Sequence, residues 1–343
     1  MQLSPALIDS SQRLGQRFSA ARPFRHLVID DFFRPEFANA LLAEFPAFER
    51  GNARTENGDL GQKSTVEKIR ELGPSFEALD DLIQSKPFLD WLSEATGIPD
   101  LLYDPWYFGG GTHESREGQE LDAHVDFNRH PANGWHRRLN LIVYLNREWE
   151  DAWGGSLELH SDPRRDDNRV TLVTPLFNRC VVFETTEWSW HGFSRITLPP
   201  AQAHKTRRSI ALYFYSRSRP ADELAPEHST IYVERPLPER FRAGMTLGEQ
   251  DVQELRVLLA RRDQHIQRLY RDLMQQSASG SGAGAQHSLF SAMSLAGRSI
   301  ARYLASAGKE DRKQALKQGL LPLARRLPAS VREPGRRLWR RWV

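Results

Sequence analysis

The residues able to do chemistry in this chain begin with His124-Val-Asp126, inside the segment Leu121-Asp-Ala-His-Val-Asp-Phe. If that segment is extended, residues i and i+2 point to the same side, so one imidazole and one carboxylate face a common point suited to a metal. A His-x-Asp triplet alone is frequent by chance and weak as a signal. Two histidines and one carboxylate on one face of a ferrous ion leave the opposite face open for substrates, so a second histidine must come from a distant strand. His191 is the candidate. It follows the strand-like Cys180-Val-Val-Phe and a turn, and it precedes Gly192, where another backbone can approach closely. Arg207 and Ser209 then alternate onto one face of a strand continuing Ile210-Ala-Leu-Tyr-Phe-Tyr, where a guanidinium fork and a hydroxyl can grip a carboxylate. Arg208 points to the opposite face.

The elements that must position these groups fall into zones. Residues 1–100 read mainly as helix, after a strand-like Phe24-Arg-His-Leu-Val-Ile. Pro35 opens an apolar-periodic stretch ended by Pro46, and further helices are expected over 66–72 and 75–95. Residues 49–65 are polar and carry three glycines, which predicts a loop long enough to act as a lid. From 101 to 217 short apolar runs alternate with Gly, Pro, Asn and Asp clusters, the pattern of a sandwich or jelly roll. Residues 249–276 place Val252, Leu255, Leu259, Ile266, Leu269 and Leu273 on alternating spacings of three and four, with Arg262 at one seam position. That pattern fits a coiled coil or a helix packed on its own domain. Residues 277–288 are Gly/Ser/Ala-rich and read as a flexible linker.

With these positions in hand, the sequence resembles the iron(II)/2-oxoglutarate-dependent oxygenases, in particular their prolyl-4-hydroxylase-like branch. The likeness runs from about Phe24 to Tyr215. It is densest in Phe108-Gly-Gly-Gly-Thr-His, Leu121-Asp-Ala-His-Val-Asp-Phe-Asn, Arg137-Arg-Leu-Asn-Leu-Ile-Val-Tyr-Leu-Asn, Trp153-Gly-Gly-Ser-Leu-Glu-Leu, Trp190-His-Gly and Thr206-Arg-Arg-Ser-Ile-Ala-Leu-Tyr-Phe-Tyr. The resemblance implies that His124, Asp126 and His191 ligate Fe(II). It implies that Arg207, supported by Ser209, pairs with the distal carboxylate of 2-oxoglutarate. Tyr144 matches a tyrosine that commonly hydrogen-bonds the same carboxylate, and Asn140, four residues earlier on that strand face, is a further cosubstrate candidate. The implied reaction consumes 2-oxoglutarate and O2, releases succinate and carbon dioxide, and hydroxylates a C–H bond. Related halogenases lack the carboxylate ligand, so Asp126 favours hydroxylation.

Composition limits the alternatives. Hydrophobic residues make up 39% and charged residues 27% of 343, which is globular usage rather than collagen-like or disordered. One cysteine, Cys180, excludes an intramolecular disulfide framework, and in its apolar strand it reads as an inert core thiol. The N-terminal stretch lacks the pattern of a signal peptide. Net charge is +3 but uneven: residues 289–343 alone carry a net +10. This basic, amphipathic tail is expected to meet an anionic membrane surface or a partner helix, with nucleic acid disfavoured for want of any recognition signature. Trp188 and Trp190 are candidates for the substrate pocket, and the Gly109–Gly111 run reads as a turn near its mouth.

The expected fold is α+β with an all-β core: a double-stranded β-helix, or jelly roll, flanked by N-terminal helices and followed by a C-terminal helical appendage. The expected division is an oxygenase domain over 1–235, a coiled-coil or packed helix over 245–276, the linker 277–288 and the basic tail 289–343. Homodimerisation through 249–276 follows only if that helix is a coiled coil. The protein is expected to be cytoplasmic, with the tail a means of peripheral attachment at the inner face of the membrane. The polar segments 49–65 and 127–137 suit a polar small-molecule, peptidyl or glycan substrate, and the branch resemblance favours a peptidyl proline. The competing reading is a dimeric scaffold or membrane-associated binding protein built on an inactive oxygenase core. Its signature would be a missing iron ligand, and none is missing.

Overall fold

The structure is a computed structural model that describes residues 2–8, 10–54, 60–233, 237–238 and 240–279. Residues Met1–Val252 form one compact unit and Gln253–Val343 another. The basic tail 289–343 and all but the first three residues of the expected linker lie outside the described residues.

In chain order the elements are α1 (Pro5–Ile8), α2 (Ser11–Ala20), β1 (His26–Ile29), α3 (Pro35–Ala43), β2 (Asn52–Arg54), β3 (Leu60–Val66), α4 (Pro74–Gln84), α5 (Lys86–Thr96), β4 (Leu102–Tyr103), β5 (Gly111–Ser115), β6 (Leu121–Val125) and β7 (His136–Tyr144). They continue with β8 (Leu157–His160), β9 (Val170–Val173), β10 (Arg179–Glu184), β11 (Trp190–Phe193), β12 (Arg207–Ser216), β13 (Ile231–Tyr232) and α6 (Glu249–Ser279). The strands make two antiparallel sheets. The larger runs β1-β10-β7-β12-β5-β3-β2, with β4 also paired to β12, and the smaller runs β13-β6-β11-β8-β9. This is the β-rich jelly-roll core that the strand pattern predicted.

Alternation along the strands decides what each face does. On β7, Leu139, Leu141 and Val143 turn to one side, as do Ile210, Leu212 and Phe214 on β12. They share a core with Leu14 and Phe18 of α2, Phe76 and Leu79 of α4, and Phe88 and Leu92 of α5. Cys180 lies in the same core, opposite Ile29 and Val143, with no exposure. The opposite face of the large sheet, with Tyr144, Val181 and Phe183, packs on Leu157, Leu159 and Val173 of the small one. Towards β5 and β12 that inter-sheet space widens into a cavity of about 650 Å³.

Three local expectations are corrected. The helix expected over 75–95 is two helices, α4 and α5, broken at an extended Ser85. A proline inside a helix loses a hydrogen bond and clashes with the preceding turn, so Pro87 forces a restart. Ser85 caps the new helix by accepting from the Phe88 N–H, and Gly97 ends it in the left-handed region. The helix expected over 66–72 is a single 3₁₀ turn, Ile69–Leu72. Most of the expected loop 49–65 that is described is a hairpin: β2 pairs β3, and β3 pairs β5. Its polar composition arises because Lys63 and Thr65 face the cavity rather than an apolar core. The helix α6 runs three residues further than the periodic stretch, to Ser279.

Candidate metal and cosubstrate site

His124 of β6 and His191 of β11 are directly opposed in one antiparallel ladder, and their ring centroids are 4.3 Å apart. Gly192 makes this possible, since a Cβ there would lie 2.6 Å from the Leu121 carbonyl of β6. Asp126 follows β6 and turns its carboxylate between the two rings. Oδ1 is 3.8 Å from His124 Nε2, and Oδ2 is 3.5 Å from His191 Nε2. One ligand atom from each residue lies within 4.8 Å of the others. Among the described residues this is the one group of three His, Cys, Asp or Glu side chains placed to hold a metal ion.

Both histidines are oriented by the same local device. His124 Nδ1 lies 2.9 Å from the Asp122 carbonyl, and His191 Nδ1 lies 2.9 Å from the Ser189 carbonyl. With Nδ1–H donating to a backbone oxygen, each ring presents the lone pair of Nε2 to the shared centre. Burial, reinforced by the neighbouring His191, pushes the His124 pKa down to about 3, and burial lowers that of His191 too. Both rings are therefore neutral near pH 7, the state that binds a metal.

Asp126 is held from behind. Asn140 Nδ2 donates to its Oδ2 at 2.7 Å, and Arg137 Nη2 lies 3.2 Å from the same oxygen. Arg137 also donates through Nε (3.0 Å) and Nη2 (2.8 Å) to Asn140 Oδ1. Its guanidinium lies over the rings of Phe127 (4.4 Å) and Tyr213 (3.6 Å). Burial alone would raise the Asp126 pKa, but the Arg137 charge outweighs it, helped by the Asn140 N–H and, at low pH, by the protonated histidines, and the carboxyl is held ionised. With Oδ2 engaged by two donors, Oδ1 is the oxygen with lone pairs to offer. Asn140 thus stands behind the carboxylate, and it lines the same cavity as Arg207. Strand parity placed it on the right face but could not say which neighbour its amide would meet.

Arg207 opens β12 on the other wall of the same cavity. Its Nε donates to the Gly155 carbonyl at 2.6 Å, its Nη2 to the Tyr144 hydroxyl at 3.2 Å, and the group lies 4.3 Å from the Phe193 ring centroid. Ser209 is buried, lines the cavity and pairs with Tyr144 across the ladder. Tyr144 is fully buried beside Arg207, and burial raises its pKa. Arg208 leaves on the opposite face, where it meets Glu114 at 3.0 Å. Neither tryptophan lines the cavity: Trp190 is buried under Arg164, while Trp188 is 54% exposed. Gly109 does line it.

The donor set fits an iron(II) centre. Two neutral imidazoles and one ionised carboxylate are a ligand type suited to non-haem iron, and they face a cavity rather than a closed core. The buried guanidinium of Arg207 across the cavity fits the distal carboxylate of a dicarboxylate such as 2-oxoglutarate. Residues that sequence reasoning left without a role include Arg137, Lys63, Thr65 and His113, all lining the cavity. Arg137 was visible only as part of a motif, and the other three carried no signal beyond residue type.

A sequence model described as the 2OG-Fe(II) oxygenase superfamily matches residues 110–215. A prolyl 3-hydroxylase of Mus musculus, OGFOD1, is 27% identical over 224 residues, covering 63% of this chain and 36% of that protein. The chain thus spans about a third of the length of this curated relative. Among solved structures, a prolyl hydroxylase from Trichoplax adhaerens in complex with a hypoxia-inducible-factor peptide aligns with TM-score 0.45 and 14% identity, over 62% of this chain and 94% of that one. A Pseudomonas putida prolyl-4-hydroxylase aligns with TM-score 0.37 and 16% identity, over 63% and 97%. The segment 110–215 that matches the 2OG-Fe(II) oxygenase superfamily contains His124, Asp126, His191 and Arg207.

Proposed function

We propose that this protein is an Fe(II)- and 2-oxoglutarate-dependent dioxygenase that hydroxylates a C–H bond of a peptidyl substrate, a prolyl residue in the first instance. One observation carries the reading: the His124–Asp126–His191 cluster and Arg207 line one cavity of about 650 Å³ from different sheets. In this reading the three clustered residues hold the metal. Arg207, backed by Tyr144 and flanked by Ser209, takes the distal carboxylate of the cosubstrate. Bound iron and 2-oxoglutarate supply the oxidising chemistry, in which O2 yields succinate, carbon dioxide and a hydroxylated product. The chain itself supplies position. The Asp122 and Ser189 carbonyls fix the imidazoles, Arg137 and Asn140 fix the carboxylate, and the apolar Ile142, Leu157 and Phe193 exclude water from the inner cavity. The prolyl assignment draws support from the names of the relatives and from the lining, where Phe108, Phe127, Tyr213 and Tyr232 offer flat apolar surfaces to a ring.

The test is turnover. Protein purified without oxygen, given Fe(II), 2-oxoglutarate and air, is expected to form succinate. His191→Ala abolishes this, and Arg207→Ala raises the cosubstrate requirement by orders of magnitude. Equal succinate from wild type and His191→Ala overturns the reading.

A second proposal concerns α6. Within its own unit, Leu259, Ile266 and Leu269 are exposed at the heptad seam. With β-branched Val252 and Ile266 at one seam position and Leu255 and Leu269 at the other, we propose a parallel homodimer through 249–276. Sedimentation should give a dimer for the full chain and a monomer for Leu259→Glu/Ile266→Glu. No helix of the described residues is long and apolar enough to cross a membrane.

A further inference from the structure

At the edge of the small sheet, beyond the metal and cosubstrate contacts, the chain returns after β12 as a strap, residues 224–233. Its end, β13, adds to the outer edge of β6. Ile231 pairs with Val125 and Tyr232 with His124, and the Val233 N–H donates to the Ala123 carbonyl at 2.7 Å. Tyr232 stacks on the His124 ring with 5.1 Å between centroids, and Tyr232 and Thr230 both line the cavity. The strap is therefore one wall of the cavity, on the metal side. Two ladder pairs are little to hold a wall, against the eight that join β7 to β12, so the strap needs a fastening of its own.

That fastening is His228. Its backbone N–H donates to Asn128 Oδ1 at 3.1 Å, and Asn128 Nδ2 donates to the Pro226 carbonyl at 2.8 Å. The His228 ring crosses to the turn before β11. Nε2 lies 2.8 Å from Glu187 Oε2 and 3.0 Å from Oε1, while Nδ1 lies 2.7 Å from the Ser229 carbonyl. Both ring nitrogens thus face acceptors. A neutral imidazole donates from one nitrogen only and would turn the lone pair of the other on an oxygen, so the arrangement is complete only when the ring is protonated. Burial opposes that charge, but the bonds to Glu187 and Ser229 outweigh it and raise the His228 pKa above 6.5. Burial is outweighed at Glu187 too, where the bond to His228 holds the carboxyl below its usual 4.5. Asp126, Arg137 and Arg219 are the other charges near the pair, lining the same narrow gap as Glu187. Asp126 is engaged with Arg137 and the metal site, and Arg219 with Glu223 at 3.1 Å, which leaves Glu187 as the counter-ion of His228.

We propose that residues 224–233 form a movable wall of the cavity, latched shut by the His228–Glu187 ion pair and released when His228 loses its proton, so that pH controls how far the metal side of the cavity is open to an entering substrate. The latch joins the two elements that carry the metal-binding histidines. The strap lies along β6 beside His124, and Glu187 stands in the turn whose Ser189 carbonyl orients His191. A histidine whose pKa is raised in the closed form favours closure fully below 6.5, and that contribution is lost as pH rises through the raised value. For Glu187 the sign is reversed: its contribution is complete above 4.5 and is lost as acid protonates it. Closure is therefore firmest between 4.5 and 6.5 and loosens on the alkaline side. The inference rests on the oxygenase reading and adds a regulation of that same site.

The test is hydrogen exchange read by mass spectrometry on the full-length, Zn(II)-loaded protein. The peptide covering 224–233 is followed at about pH 6 and about pH 8.5, with the intrinsic pH dependence of amide exchange divided out. The wild-type strap should open about three- to tenfold more at the higher pH, the loss of one charge-assisted hydrogen bond in a partly exposed pair. Glu187→Gln keeps an acceptor without the charge, so its strap should be loose already at the lower pH and change little between the two. His228→Lys, charged at both values, should show no rise. Peptides from α5 should match the wild type in both variants, since the latch touches nothing in that helix. A wild-type strap that exchanges equally at the two pH values overturns the proposal. So does a Glu187→Gln strap as protected as the wild type at the lower pH, or one that loosens only in step with α5. Calorimetric titration of 2-oxoglutarate into the same samples keeps the two readings apart. No binding by the wild type would refute the oxygenase reading, while the exchange data would still decide the latch.

Discussion

Asn140 offers a sharp test of how this site is built. Replacing it by alanine removes the 2.7 Å donor to Asp126 Oδ2 and the oxygen that accepts from both Nε and Nη2 of Arg137. A hydrogen bond to a charged group contributes about 1.5–3 kcal/mol. The corresponding loss of an outer partner of a metal ligand is about 10- to 100-fold in metal affinity. That factor equals ~1.4–2.8 kcal/mol, so the two estimates agree. Arg137 stays stacked between Phe127 and Tyr213 but loses an acceptor, so the metal-free fold should also weaken, by about 1–3 kcal/mol. The assay is competition titration of Mn(II) or Co(II) against a fluorescent chelator, run beside thermal unfolding of the metal-free protein. Once the variant is saturated with metal, 2-oxoglutarate should bind within about threefold of the wild type, since no contact joins Asn140 to Arg207. A variant that melts cooperatively yet binds metal within twofold of the wild type would refute the clamp. So would one that keeps metal affinity and loses the cosubstrate.

Other outcomes follow from the same geometry. Arg207→Met should weaken 2-oxoglutarate by about 2–5 kcal/mol while leaving 2-oxopentanoate, which lacks the distal carboxylate, within about threefold. Calorimetry on metal-loaded protein reads this, and Arg208→Met, which faces Glu114, is the control that should change neither. His113 and His26 are both held neutral by burial, with pKa values below 6.5 in the folded protein. Unfolding lets them take up protons below that pH, so chemical denaturation should show stability falling as pH drops under ~6.5, by up to about 1.4 kcal/mol per pH unit for His113, whose pKa lies well below that value, and by less for His26. His113→Gln should remove one histidine's share of that slope, and a slope unchanged in the variant would refute the assignment. Gly111→Ala combines a φ of +90° with a Cβ 2.1 Å from the Val66 carbonyl. It should cost about 3 kcal/mol or more, lowering Tm by roughly 6–12 °C; an unchanged Tm would mean that β3 and β5 do not approach as described.

What could be read from the sequence was what repeats locally. His124 and Asp126 were placed together by strand parity, and the alternation of β7 and β12 separated an apolar face from a polar one before any contact was known. His191 needed a wider pattern, because nothing in the residues between 126 and 191 states that β6 and β11 are neighbours. The strand β3 was missed for a physical reason: its inward residues face a polar cavity, so Leu-Gly-Gln-Lys-Ser-Thr-Val lacks the apolar alternation by which a half-buried strand is recognised. The break at Ser85 was legible in principle from Pro87, but the apolar periodicity on either side hid it. The partners of Asn140 and the neighbours of Lys63 depend on side chains from three or four strands meeting at one depth, which no single segment encodes.

The position of Cys180 has a practical consequence. It is the single cysteine of the chain, fully buried in the central sheet, and burial keeps its thiol protonated and unreactive. An aromatic disulfide can reach it only when β10 parts from β1 or β7, so the labelling rate is a clock for the opening of that sheet. The signal comes from one site and needs no engineered probe. Timed with and without metal, it measures how far stability gained at the His124–His191 side of the barrel is transmitted to the helix-covered side. A cysteine introduced on any exposed surface of the folded protein would, for the same reason, accept its label alone.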